Sequence, residues 1–229
     1  MTLRRYATTA GAAHGAMPAQ AGAPAGEVLG RSAPLVRDLR RRGGHAPRGL
    51  RFAAGDVVVV SGLPGSGKST LIRRTATVRT IDSQDTRDRW ARMMPRLLPY
   101  ALYRPLVRLA HYAGLRRALR SGESVVVHDC GTQTWVRRWL ARDARRRGRG
   151  LHLLLLDVTP RTAREGQRER GRGVSGYAFA RHRRAVGRLL RDTETGLLPY
   201  GCASAVLLDR EAAGLLDRIT FTGARLGPG

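Results

Sequence analysis

Lysine is almost missing from this sequence of 229 residues, because Lys68 is the single lysine among 42 basic side chains. The two cysteines, Cys130 and Cys202, show neither metal-site spacing nor a disulfide framework, and we expect both to be reduced thiols. Aromatic residues make up only 5%, which argues against a surface that stacks single-stranded nucleic acid. No apolar run is long enough to span a bilayer, and the Ala/Gly stretch after Arg5 is too weakly apolar for an export signal. We therefore expect a cytoplasmic protein without a membrane partner.

Acidic residues are also few, and the resulting excess of arginine can be interpreted in two ways. The 17 acidic residues leave a formal net charge of +25, which would permit a nucleic-acid partner. The same excess, with alanine and glycine abundant and lysine nearly absent, also fits a GC-rich coding bias on a solvated surface. The first 50 residues hold +6 of this charge and the remaining chain holds +19. No motif requires nucleic acid, so both interpretations stay open.

The most informative stretch is a complete phosphate-loop motif, G-x-x-x-x-G-K-[ST], at residues 62–69. Four consecutive valines before it are typical of a short buried strand, and residues 68–77 are expected to form the following helix. Glycines allow main-chain N–H groups to converge on an anion, and the start of the helix adds its positive dipole end. The expected ATP-binding residues are Gly62, Leu63, Pro64, Gly65, Ser66, Gly67, Lys68, Ser69 and Thr70. Lys68 would contact the β- and γ-phosphates, and the Ser69 hydroxyl would ligate Mg²⁺.

After this motif, apolar strands alternate with helices, which predicts an α/β fold with a parallel sheet. Five strands are expected, at residues 57–60, 78–82, 123–129, 151–157 and 204–208, with a closing helix over 211–221. Residues 1–50 are rich in Ala, Gly, Pro and Arg, and we interpret them as a disordered basic arm with a short helix over 35–41. The domain is expected to span residues 54–221, followed by a tail over 222–229.

Carboxylates stand where the second and third predicted strands end. Asp82 and Asp85 follow the second strand and Asp129 follows the third, and ligands of parallel sheets bind at these carboxyl ends. Phosphoryl transfer needs a base for the acceptor hydroxyl and an acidic group that orients Mg²⁺, either directly or through water. Asp82 or Asp129 could serve the metal. Capping of the next helix is the structural alternative for Asp82 and Asp85, and we interpret His128 as a packed strand-end residue.

A second arginine group follows the helix after the fourth strand. Arg168, Arg170 and Arg172 lie on a Gly/Arg-rich segment that could close over the triphosphate and neutralise charge in the transition state. Because arginine is abundant throughout the chain, a solvated surface segment is the alternative.

Taken together, these residues resemble the P-loop kinases of the adenylate-kinase-like group, within which the chain is similar to polynucleotide kinase, gluconate kinase and zeta-toxin type ATPases. The resemblance covers residues 54–221, although only the phosphate loop is specific. It implies a three-layer fold around a five-stranded parallel sheet whose second strand is outermost, with ATP and Mg²⁺ bound. The family's Asp-Asp-x-Arg segment corresponds to residues 84–87, where Gln84 takes the first position and leaves the base open between Asp85 and Asp82. The resemblance gives Arg87 and Asp129 substrate roles, and Gln167 stands where an arginine is usual.

The sequence thus supports a kinase that transfers the γ-phosphate of ATP to a hydroxyl acceptor, either a small molecule or a nucleic-acid 5′-hydroxyl. The alternative is an ATP-hydrolysing nucleic-acid-binding or regulatory module without phosphotransferase activity. Gln84 keeps a further alternative open, a nucleotide-binding fold that has lost transfer activity.

Overall fold

The computed structural model describes residues 27–28, 35–95, 98–129, 134–169, 171 and 173–223. Its strands are β1 Glu27–Val28, β2 Val36–Asp38, β3 Gly49–Phe52, β4 Val57–Gly62, β5 Arg79–Ile81, β6 Val125–His128, β7 Leu151–Leu156, β8 Ser204–Leu208 and β9 Arg218–Phe221. Its helices are α1 Lys68–Thr75, α2 Ser83–Met93, α3 Tyr100–Arg120, α4 Thr134–Arg146, α5 Pro160–Arg168, α6 Gly176–Glu194 and α7 Arg210–Leu215, with a 3-10 turn at Gly43–His45.

The main sheet has six parallel strands in the order β2-β8-β7-β4-β6-β5, which confirms the predicted α/β fold. The strand that follows the phosphate loop and its helix, β5, lies at the edge as expected. A second sheet has three parallel strands in the order β1-β3-β9. Because all six strands of the main sheet run in the same direction, the segments after β4, β5 and β6 meet at one edge.

The four valines of β4 explain why this strand lies at the centre of the sheet. Val57 and Val59 belong to the core cluster with α3 and α4, whereas Val58 and Val60 belong to the cluster with α1, α7 and the small sheet. Successive side chains of a strand point to opposite faces, so an unbroken apolar run suits a strand that is covered on both. The phosphate loop therefore starts from one of the best-packed segments of the protein.

The strand count differs from the expectation because residues 35–41 do not form the predicted helix. Val36–Asp38 is instead strand β2, which pairs with β8. Ala205 N donates to the Leu35 carbonyl at 2.7 Å, and Leu39 N donates to the Leu207 carbonyl at 3.0 Å. An unpaired edge of β8 would leave these groups without partners, which explains why pairing prevails over local helix preference. Residues 35–50, assigned from the sequence to the arm, thus contain β2 and the start of β3. Apart from β1, residues 1–34 lie outside the described part of the chain.

The predicted closing helix over residues 211–221 is also wrong in its second half. Helix α7 ends at Leu215, and Leu216 has an extended backbone with ψ 108°. The chain then forms β9, whose Ile219 is completely buried and pairs with Leu50. Thr222 N continues the pairing by donating to the Phe52 carbonyl at 3.0 Å, and residues 224–229 of the predicted tail lie outside the described residues.

A buried polar network joins the opposite, amino-terminal ends of the strands. His152 contacts Asp56 Oδ2 through Nε2 at 2.9 Å and Ser204 Oγ through Nδ1 at 2.8 Å. Asp56 also accepts from the Gly150 N–H at 2.6 Å. Asp56 and His152 are buried, and the network links the start of β4 to β7 and β8. In the described residues, no helix has the length and apolar character needed to cross a membrane.

Candidate functional site

The phosphate loop connects β4 to α1 through two glycines in the left-handed region. Gly65 has φ +87° and Gly67 has φ +94°, conformations that glycine adopts without steric penalty. Gly67 is the N-cap of α1 and provides no side-chain capping bond. The Lys68 ammonium is buried and donates to the carbonyl oxygens of Gly62 at 2.9 Å and Leu63 at 2.7 Å. The loop thus curls around its own lysine.

The start of α1 has the features of an anion site. Leu71 N donates to the Gly67 carbonyl, and the amides before it in the first helical turn have no intrahelical carbonyl to bond. A Cβ placed on Gly67 would meet no atom within 4 Å, so the space in front of the helix is open. The Ser66 Oγ is buried and has no hydrogen-bond partner among the described residues. Amides that have no intrahelical carbonyl to bond, at a helix start that faces open space, fit a phosphate group.

Helix α5 supports this loop through main-chain contact, a feature that the sequence reasoning missed. A Cβ on Gly166 would lie 2.5 Å from the Gly65 carbonyl oxygen, so α5 and the loop approach more closely than side chains allow. Gln167 donates through Nε2 to the Pro64 carbonyl at 2.9 Å and accepts from the Val174 N–H at 3.0 Å. The glycine at residue 166 is the only sequence signal for this approach. Gln167 therefore joins the loop to the segment that follows α5.

A hydroxyl and a carboxylate suited to Mg²⁺ lie side by side. Ser69 Oγ donates to Asp82 Oδ2 at 2.9 Å, and His128 Nδ1 lies 2.8 Å from the other oxygen, Asp82 Oδ1. Asp82 is only 9% exposed. Within the described residues, no three His, Cys, Asp or Glu side chains cluster as a metal site. This pattern fits Mg²⁺, which takes few protein ligands and completes its shell with phosphate and water oxygens.

Asp129, the carboxylate after β6, lies beside a large cavity. It accepts from Arg137 NH1 of α4 through Oδ2 at 3.0 Å, and both side chains are largely buried. The cavity has a volume of about 930 Å³ and is lined by residues of α2, α3, β6, α4 and α6, including Arg87, His128 and Asp129. Burial lowers the pKa of His111 in its wall despite the opposing charge of Asp82, so this ring is neutral at pH 7. A cavity of this volume accommodates a small-molecule ligand.

The remaining predicted site residues are more dispersed. Asp85 is exposed in the first turn of α2 and is not among the cavity-lining residues, whereas Arg87 is. Thr70 is exposed on α1. Arg168 is exposed at the end of α5 and lines a separate cavity of about 250 Å³, and Arg170 and Arg172 lie outside the described residues. The structure thus brings Ser69, Asp82 and His128 into direct contact, and the assignment of the base and of the arginine lid stays a prediction.

Two contributors were not anticipated from the sequence. His128 was interpreted as a packing residue, but it contacts Asp82 and lines the cavity. Arg137 had no predicted role, and its contact with Asp129 depends on how α4 packs against β6. The sequence signal for His128 was its place next to Asp129 at a strand end.

Comparisons with known proteins identify the family of this chain and several distantly similar structures. A family model described as an AAA domain matches residues 57–194, which is more than half of the chain. No curated protein matches the chain.

Among solved structures, a gluconokinase from Sinorhizobium meliloti 1021 is 21% identical with a TM-score of 0.40, and the match covers 72% of this chain and 92% of the gluconokinase chain. A protein of the PezAT chromosomal toxin-antitoxin system of Streptococcus pneumoniae is 13% identical with a TM-score of 0.48 and 69% coverage of each chain. The tunicamycin resistance protein of Deinococcus radiodurans is 15% identical with a TM-score of 0.37, covering 59% of this chain and 80% of its own.

Proposed function

This chain is a P-loop, kinase-like member of the AAA domain family, and on that premise we propose that it transfers the γ-phosphate of ATP to a hydroxyl group of an acceptor. The observation that carries the proposal is the contact between Ser69 of the phosphate loop and Asp82, next to a cavity that Asp129 and His128 line. A nucleotide site and an acceptor-sized cavity therefore share one edge of the sheet.

The nucleotide half of the proposal rests on the loop. Main-chain amides at the start of α1 and the Ser66 hydroxyl would donate to the phosphates, and the Lys68 ammonium would exchange its two carbonyl partners for phosphate oxygens. Ser69 and Asp82 would hold Mg²⁺, whose chemistry is to neutralise charge on the β- and γ-phosphate oxygens. His128 keeps the Asp82 carboxylate oriented toward Ser69 through the second oxygen.

The acceptor half rests on Asp129. Arg137 engages Oδ2 of this carboxylate, so Oδ1 is the oxygen that would accept the proton of the acceptor hydroxyl. The acceptor oxygen would then form its bond to the γ-phosphorus while the bond to the ADP oxygen breaks. The predicted base Asp85 is exposed and does not line the cavity, so we favour Asp129 for proton removal and Asp82 for the metal.

The test is transfer of labelled γ-phosphate from ATP·Mg²⁺ to a panel of hydroxyl acceptors. We expect Asp82→Asn and Asp129→Asn each to lower transfer by about 10²-fold or more, and Asp85→Asn to have a much smaller effect. Lys68→Met keeps an unbranched side chain that is one atom shorter and removes the charge, and it should weaken ATP binding in calorimetry. Phosphate release without transfer to any acceptor would reject the kinase proposal in favour of an ATP-hydrolysing module. A dominant effect of Asp85→Asn would restore the sequence-based assignment of the base.

A further inference from the structure

The cavity beside Asp129 has a wall of guanidinium groups. Apart from Arg137, the described part of the chain contributes six arginines to this wall, one from α2, two from α3 and three from α6: Arg87, Arg104, Arg108, Arg181, Arg184 and Arg188. Among the described residues that line the cavity, Asp129 is the only carboxylate, and Arg137 already engages it. The cavity therefore carries a large excess of positive charge.

Most of these arginines form no ion pair with the described carboxylates. In the part of the chain that the structure describes, no carboxylate forms an ion pair with Arg104 or Arg108 of α3, or with Arg181, Arg184 or Arg188 of α6. Like charges that converge around one concavity raise the local potential and favour an anionic ligand. Guanidinium groups bind phosphate oxygens in bidentate geometry, which makes arginine well suited to phosphate recognition.

Buried polar atoms in the same wall also lack partners. The Nε of Arg137 and the Nδ1 of His111 are buried and have no hydrogen-bond partner among the described residues. Arg137 is only 6% exposed. A buried donor without an acceptor is costly, and a ligand oxygen would relieve that cost. The Nε–H of Arg137, which can only donate, is thus a second observation, independent of the arginine count, that points to a ligand with oxygen atoms.

The arginines of α6 are arranged along one face of the helix. Arg181, Arg184 and Arg188 follow the i, i+3, i+7 spacing that places side chains on the same side. Arg183 is exposed on the same helix and does not line the cavity. The α6 face therefore concentrates charge on the cavity, and Arg183 offers a matched control.

We propose that the acceptor is a small organic phosphate, a compound that already carries a phosphate group in addition to the hydroxyl that is phosphorylated. Its phosphate lies among the arginines of α3 and α6, and its hydroxyl points to Asp129. This inference rests on the proposed phosphotransferase function and narrows its acceptor to one chemical class.

The experiment uses matched compounds that differ only in a phosphate group. AMP is compared with adenosine, and glucose 6-phosphate with glucose, by calorimetry on the full chain with the phosphate loop saturated by a non-hydrolysable ATP analogue and Mg²⁺. The same pairs, together with a 5′-hydroxyl oligonucleotide, are then offered as acceptors in the γ-phosphate transfer assay. We expect at least one phosphorylated member to bind and to be phosphorylated far better than its parent compound.

The variants Arg184→Ala and Arg181→Ala locate the phosphate in the cavity. Each should raise the KM or Kd of the phosphorylated compound about 10- to 100-fold, since each removes a charged hydrogen-bonding group. Arg183→Ala should change neither value, and none of the three variants should change ATP affinity. Equal effects of Arg183→Ala and Arg184→Ala would overturn the proposal, because bulk charge would then explain the binding.

Other outcomes separate this inference from the function on which it rests. Efficient transfer to an uncharged compound, unaffected by Arg184→Ala, would overturn the inference and leave the kinase function intact. Preference for the oligonucleotide over every small organic phosphate would overturn the proposed small-molecule acceptor. Arginine-dependent binding of an organic phosphate without any phosphoryl transfer would support the anion site and reject the kinase function.

Discussion

Replacing Gly166 by alanine tests whether main-chain contact between α5 and the phosphate loop is needed for nucleotide binding. Gly166 lies inside α5, where alanine would normally stabilise a helix by about 1 kcal/mol. The new Cβ would lie 2.5 Å from the Gly65 carbonyl oxygen, and neither main-chain atom can move without shifting a helix or the loop. Overpacking of this kind costs about 1–3 kcal/mol. We therefore expect the overpacking to cancel or exceed the free energy that alanine contributes to helix stability, with a net destabilisation of up to about 2 kcal/mol.

The same displacement should reach the nucleotide. Gly65 lies between Ser66 and the strand, so a shifted loop would misplace the amides that we propose to bind the phosphates, and we expect a loss of ATP affinity of about tenfold or more. Urea unfolding measures the stability, and calorimetry with ATP·Mg²⁺ measures the affinity.

Gly114→Ala is the matched control. Gly114 also lies inside a helix, α3, but a Cβ there would meet no atom within 4 Å. This variant should be up to about 1 kcal/mol more stable than the parent chain and should bind ATP equally well. If both alanine variants gained stability alike and kept full ATP affinity, the close approach of α5 to the loop would be refuted.

Three further predictions concern other parts of the fold. Asp56→Ala removes the acceptor of the Gly150 N–H and of His152, so urea unfolding should show a loss of about 2–4 kcal/mol; a loss below about 1 kcal/mol would mean that the network contributes little to stability. Burial raises the pKa of Cys202 to about 11, so the rate at which this thiol is alkylated in the folded protein should rise about tenfold per pH unit between pH 8 and 10. An alkylation rate that levels off by pH 9 would contradict the burial of this thiol. Arg40→Gln removes ion pairs to Asp38, Asp157 and Glu194 that are partly exposed, so we expect a loss of only about 1 kcal/mol at pH 7. Hydrogen bonding to Arg40 lowers the pKa of Asp38 below its ordinary value of 3.8. The stabilisation from this ion pair is therefore present above pH 3.8 and is lost as the pH falls through the folded-state pKa. If Arg40→Gln lowered the urea midpoint by the same amount at pH 7 and at pH 3, this pH dependence would be refuted.

The central strand and the phosphate loop could be predicted because their signals are local. Four valines in a row, a glycine pattern and one lysine lie within a few residues of one another, and the strand, the loop and the helix that they form are contiguous in the chain. Sterics and hydrogen bonding over such short distances depend little on the remainder of the protein. The α/β class follows from the same alternating pattern, whereas the edge position of β5 was an implication of the family resemblance.

The two incorrect predictions, a helix over residues 35–41 and a helix that continues to residue 221, concern segments whose structure depends on long-range strand pairing. Val36–Asp38 has a weak local preference, and its strand state depends on the edge of β8, which is formed by residues more than 160 positions later. In the same way, Arg218–Phe221 is a strand because β3 lies beside it. Sequence periodicity carries no information about which edge a segment will meet.

The sequence by itself predicted a phosphate-binding loop at one strand-to-helix corner, because all the groups that form this loop are neighbours in the chain. Only the tertiary structure decided that Asp82 rather than Asp85 contacts Ser69, and that arginines of helices α2, α3, α4 and α6 surround one cavity. The physical reason is that arginine occurs throughout this chain, so the sequence does not show which arginines line the cavity. The packing of the helices selects which guanidinium groups face one another across a common space, and that selection gives the cavity its charge.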